Sequence, residues 1–137
     1  MSGRIPSITF AILLGMCAGA DASEVLAGGP LYGADASQGG GITCRVFNSG
    51  NSRIRFIQNR IFDNTGAEVP LFTDTCTVLA PTKTCAYGTV IAGNLAYSCR
   101  SITNDTTNSL TGTIEILNHD HNAVVQQQPL RSNELQR

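Results

Sequence analysis

Apolar and polar positions alternate along most of the chain beyond residue 41. In "ITCRVFN" (42–48), Ile42, Cys44 and Val46 fall on one face, the mark of a half-buried strand. "SGNS" (49–52) has the composition of a turn. "RIRFIQNRIFD" (53–63) begins in strict alternation, with Ile54 and Phe56 inward and Arg53 and Arg55 outward. Its phase slips between Ile57 and Asn59, which predicts a bulge before Ile61 resumes the inward face. "NTG" (64–66) signals a hairpin, with Gly66 free to take a positive φ. "AEVPLF" (67–72) contains Pro70, so it is expected to be a short strand or an edge strand.

The second half repeats the pattern. "CAYGTVI" (85–91) puts Cys85, Tyr87, Thr89 and Ile91 on one side, and "LAYSCRSI" (95–102) groups Leu95, Tyr97 and Cys99. After a loop at 104–109, "LTGTIEIL" (110–117) turns Leu110, Ile114 and Ile116 inward and Glu115 outward. "NHDHN" (118–122) reads as a turn and "AVVQQQPL" (123–130) as a last strand. About seven short strands with turns roughly every 8 to 12 residues predict an all-β, antiparallel β-sandwich. No window holds a helical period.

The ends of the chain read differently. "MSGRIPSITFAILLGMCAGADA" opens with Arg4, continues with an apolar run from Ile8 to Met16, and ends in small residues. The run is shorter than the about 20 apolar residues that span a bilayer. The layout is that of a signal peptide, 1–22, cleaved after Ala22 or alternatively after Ala20. Met16 is too large for the slot before a lipidated Cys17, and beyond the signal no transmembrane segment is expected. Residues 23–41, dense in glycine, read as a flexible leader. The folded domain is expected over 42–130 and a loose polar tail over 131–137.

Four cysteines remain after that cleavage: Cys44, Cys76, Cys85 and Cys99. An even number in an exported chain predicts two disulfides and an oxidising address, periplasmic or extracellular. Three pairings are open to four cysteines. "CTVLAPTKTC" (76–85) lets the chain reverse between its two thiols, which favours Cys76–Cys85 and leaves Cys44–Cys99. The mature chain of about 115 residues suffices for one core, burying about two thirds of its unfolded surface. The formal net charge of the whole chain is −1, so no basic field calls for nucleic acid.

"VFNSGNSRIRFIQNRIF", a Cys-x8-Cys segment containing "LAP", and "LTGTIEI" together resemble the abnormal-spindle/hydin type of immunoglobulin-like domain found in bacterial envelope proteins. Asn48 and Gly50, Cys76, Leu79, Pro81, Cys85, and Gly112 to Ile116 carry the likeness, which covers about residues 42–117. It implies an immunoglobulin-like sandwich serving as a non-catalytic scaffold or adhesion module of the envelope.

Reactive chemistry is sparse. His119, Asp120 and His121 form the densest ligand group, but a metal site needs three or four ligands with support behind them. His119 and His121 are therefore metal candidates only as the alternative to a polar turn, and no cofactor is expected. The histidines sit side by side, no Gly-x-Ser-x-Gly elbow occurs, and Cys-x-x-Cys is absent, so an enzyme is not expected. Asn104-Asp105-Thr106 fits a glycosylation acceptor on a eukaryotic secretory route. Arg45, Arg53, Arg55 and Arg100 all point outward by alternation. On neighbouring strands they would form a basic stripe for another envelope or extracellular protein or for an anionic polysaccharide.

Overall fold

The computed structural model of the chain describes residues 23–33, 40–91, 95–104, 107–120 and 123–132. The signal segment expected at 1–22 lies outside them, as do His121, residues 105–106 and residues 133–137. The described residues are all-β: β1 (Glu24–Tyr32), β2 (Gly40–Asn48), β3 (Ile54–Asp63), β4 (Glu68–Val69), β5 (Thr73–Asp74), β6 (Val78–Leu79), β7 (Thr84–Ile91), β8 (Ala96–Thr103), β9 (Leu110–Leu117) and β10 (Val124–Ser132). A 3-10 turn, Thr107–Ser109, leads into β9. None of the described helices is long and apolar enough to cross a membrane.

All strand pairings are antiparallel, and they join into one sheet in the order β4-β3-β8-β1-β10-β9-β2-β7-β5, with β6 against β3. The sheet curls into a half-barrel. The strand at the turning point is β10. It pairs with β9 from Val124 to Leu130 and with β1 only at Arg131 and Ser132. The concave side is the core, where Leu26, Ile42, Val46, Ile61, Tyr87, Ile91 and Ile114 are buried. Alternation delivers them, because residues two apart on a strand share a face.

Two disulfides close the body. Cys44 of β2 bonds Cys99 of β8, with Cα atoms 6.2 Å apart, although β9, β10 and β1 separate those strands along the sheet. Cys76 bonds Cys85 with Cα atoms 5.1 Å apart, tying the segment after β5 to β7. Between them Pro81 and Thr82 turn the chain, and Lys83 N donates to Ala80 O at 3.3 Å. Thr82 sits there at φ 59°, a region that favours glycine.

Asn48, wholly buried, fastens this reversal to its neighbours. Its side-chain amide donates to Ser52 O at 2.7 Å and Leu79 O at 3.2 Å, and its side-chain oxygen accepts from Gly50 N at 2.9 Å. Its own backbone oxygen accepts from Thr82 N at 2.8 Å. Position 48 therefore needs a short side chain with both a donor and an acceptor, which asparagine supplies.

Three expectations are corrected. The stretch read as a flexible leader, 23–41, contains β1 and the first residues of β2, and β1 lies inside the sheet between β8 and β10. Its buried residues, Leu26 and Leu31, are an odd interval apart, so strict alternation hides them. The register against β8 shifts between Gly28 and Leu31, and that bulge restores both to the core. The strands number ten among the described residues rather than about seven, because β1 was not expected and β5 and β6 are two-residue bridges too short to show a period. Arg131 and Ser132, read as tail, belong to β10, held by pairing with Ala27 and Leu26.

The bulge at Ile57, the positive φ of Gly66 (82°) and the edge position of β4 beside Pro70 all occur where the pattern put them.

Replacing Cys44 and Cys99 by alanine should cost about 4 kcal/mol in denaturant unfolding, since the bond closes a loop of 55 residues. Leu26→Ala should cost about 2–5 kcal/mol in the same assay, because Leu26 is a core residue of β1. An unaffected midpoint for Leu26→Ala would remove β1 from the folded body.

Candidate functional site

The four arginines that would form one stripe if their strands were neighbours are distributed around the curl. Arg45, on β2, donates from Nε to Glu115 Oε2 at 2.9 Å, and Thr113 donates its hydroxyl to Glu115 Oε1 at 3.1 Å. Arg53 precedes β3, and Arg55 lies at its start opposite Val78 of β6. Arg100, on β8, stands apart from all three, and the structure gives it different company.

Across the outer face of the sheet, Arg60 of β3 is the direct partner of Arg100, Arg100 is the partner of Ala27 on β1, and Ala27 is the partner of Arg131 on β10. Directly paired residues on antiparallel strands point to the same side. The result is one transverse row, Arg60–Arg100–Ala27–Arg131. Strands lie about 4.8 Å apart, so Arg100 and Arg131 are roughly 10 Å apart at the backbone, with alanine between them. Arg60 Nη1 pairs with Glu68 Oε2 at 3.1 Å, while Arg60 Nε is buried without a hydrogen-bond partner. Among the described residues, no ion pair or hydrogen bond engages the side chains of Arg100 or Arg131, and both are exposed.

A second row runs beside the first, two residues along each strand. Phe62 of β3 pairs with Ser98 of β8, Ser98 faces the Gly28–Leu31 bulge of β1, and Pro129 lies two residues before Arg131 on β10. Here β1 and β10 part company, since β10 has turned to β9. The fork between them is a groove of about 530 Å³ lined by Phe62, Ser98, Arg100, Gln128, Pro129 and Arg131 over a floor of Ala27, Gly28 and Gly29.

Glycine is required at Gly29 of that floor, which has φ 113° and Tyr97 O 2.8 Å from where its Cβ would stand. A Cβ on Gly28 would point the other way, to the core side, 2.6 Å from Leu130 Cδ2.

The concave side carries a polar thread of its own. Ser101 Oγ is 2.9 Å from Asn59 Oδ1 and 3.0 Å from the Tyr87 hydroxyl. One proton cannot serve both, so Ser101 donates to Asn59 and accepts from Tyr87. Asn59 donates onward to Asp74 Oδ2 at 2.9 Å and to Cys76 O at 2.8 Å. Burial drives the Tyr87 pKa up, which keeps the phenol neutral and a donor. The thread satisfies buried polar groups contributed by β3, β5, β7 and β8.

His119 is exposed in the turn after β9 and His121 lies outside the described residues. Among the described residues, no group of three or more metal-ligating side chains comes together.

Sequence reasoning missed Arg60 and Arg131. The signal for Arg60 was present: Ile61 returns inward after the bulge, so Arg60 must point out. The signal for Arg131 was absent, because no apolar residue follows Leu130 to extend the strand.

No protein-family model matches the chain, and no curated protein or solved structure matches it significantly.

The hairpin after β3 supports the row, since β4 carries the Glu68 that pairs with Arg60. At its base, Asp63 Oδ1 accepts from the Thr65 hydroxyl at 2.6 Å, Thr65 N at 2.8 Å and Ala67 N at 3.0 Å. These bonds, the Thr65 hydroxyl foremost, hold the Asp63 carboxyl below the usual carboxylate range. The folded pKa is depressed, so the stabilisation is present above the unfolded value of about 3.9 and is lost as pH falls through the folded pKa. A carboxyl-carbon NMR titration should place the Asp63 midpoint below that of an unstructured aspartate, and Thr65→Ala should move it back up.

Proposed function

We propose that this chain is a small exported binding module, without a catalytic role, that holds an anionic partner on the outer face of its sheet. The supporting observation is the direct pairing of Arg60 with Arg100, continued by Arg131. Like charges placed opposite each other on adjacent strands destabilise a sheet. Glu68 offsets the charge of Arg60 and no described carboxylate offsets the other two. A bound anion would remove that repulsion and fill the open hydrogen-bonding positions of the guanidinium groups.

The address belongs to the same proposal. Two disulfides suit a periplasmic or extracellular setting, where oxidised thiols persist. The immunoglobulin-like sandwich of the envelope type that the sequence motifs resemble belongs to the proposal too; what supports it is the all-β, antiparallel sheet with two disulfides.

Fluorescence anisotropy with labelled polyglutamate and labelled oligogalacturonate tests the reading. At low salt at least one polyanion should bind, with affinity falling as salt rises. Arg100→Ser together with Arg131→Ser should weaken that binding by roughly tenfold or more, about 1.4 kcal/mol or above. Salt-independent binding, or binding untouched by the double substitution, would overturn the proposal.

A further inference from the structure

We infer that the groove at the β1–β10 fork takes a segment of acidic polysaccharide, with the sugar carboxylates on Arg100 and Arg131 and a ring face on Phe62. The inference rests on the binding role proposed above and names its ligand class. Its ground is the juxtaposition of the two rows. The arginine row alone would serve any polyanion. Beside it, about 6.6 Å along the strands, lies a row of different chemistry, with half-buried Phe62 on one wall and Pro129 on the other.

The floor between them carries little or no side chain, at Ala27, Gly28 and Gly29, so a sugar ring can approach the backbone. Ser98 and Gln128 line the same space and offer hydroxyl and amide groups.

An acidic sugar matches this division. Its ring presents a face of C–H groups to an aromatic side chain, its hydroxyls suit Ser98 and Gln128, and its carboxylate projects from the ring edge toward a guanidinium. An arginine fork binds a carboxylate through two parallel bonds. Two arginines about 10 Å apart with alanine between them suit charges that recur along a chain. A single compact anion such as free phosphate would reach one of them. An extended acidic peptide would use the arginines equally well but has no rigid apolar ring face to lay against Phe62 at each charge.

The test compares three probes on the full chain after signal removal: labelled oligogalacturonate, labelled polyglutamate, and a neutral galactan. Oligogalacturonate should bind and the neutral galactan should not. Phe62→Leu keeps an apolar side chain at the half-buried position but removes the aromatic face. It should weaken oligogalacturonate binding roughly tenfold and leave polyglutamate binding within a factor of about two. Its melting temperature, compared with that of the parent, separates lost stacking from lost folding. Gln128→Ala, at an exposed position, provides a second variant and should weaken the sugar probe alone.

If polyglutamate binds as tightly as oligogalacturonate and neither variant separates them, the polysaccharide assignment falls and the anion-binding role stands. If no polyanion binds, both fall.

Discussion

The Cys44–Cys99 bond is the constraint on which the rest of the structure depends. It joins β2 to β8 across the concave side, while three strands connect them the long way round. A sheet of ten strands could splay, but a covalent tie between inward-facing residues of two distant strands permits only a curled one. Once curled, the sheet encloses one core on its concave side. In the chain-entropy view the same bond removes many extended conformations from the unfolded ensemble. For a domain with a margin of about 5–15 kcal/mol, one such tie is a large share.

The curl requires a strand that serves both halves, and β10 is that strand. It pairs with β9 for most of its length and with β1 for its last two residues. Where it changes partner, β1 cannot follow, and the fork opens. The groove is therefore a consequence of closing the body rather than an addition to it. Its floor is set by the backbone, because Gly29 has φ 113° and lies too close to Tyr97 O and Ser98 Cα to carry a side chain. The same positions that let the two halves meet leave a shallow, backbone-lined space on the outside.

Onto that outer face the sequence puts three arginines in one transverse row. Cross-strand repulsion works against this arrangement, and the β3–β4 hairpin relieves it only at Arg60, through Glu68. By contrast Arg45, farther round the sheet, is matched by Glu115 within 2.9 Å. Arg45 and Arg60 are neutralised within the fold, and Arg100 and Arg131 are left to solvent.

Short-range pattern was enough to determine a good deal. Alternation from Ile42 to Leu130 fixed the strand class and most inward residues, including Ile54, Phe56, Tyr87 and Ile114. Gly66 and Pro70 marked a hairpin and an edge, and Ile57 marked a bulge. These features are local, governed by side-chain period and backbone preference within a few residues.

Tertiary structure alone decided the rest. β1 looked like a leader because its two buried leucines fall out of phase, and only pairing with β8 through a bulge makes them one face. Arg131 looked like tail because its strand is held by β1, far away in the chain. The row Arg60–Arg100–Arg131 exists only through the registers of four strands, and register depends on which strands meet. A sequence states which way each side chain points along its own strand; which other strand lies beside it is settled when the sheet closes.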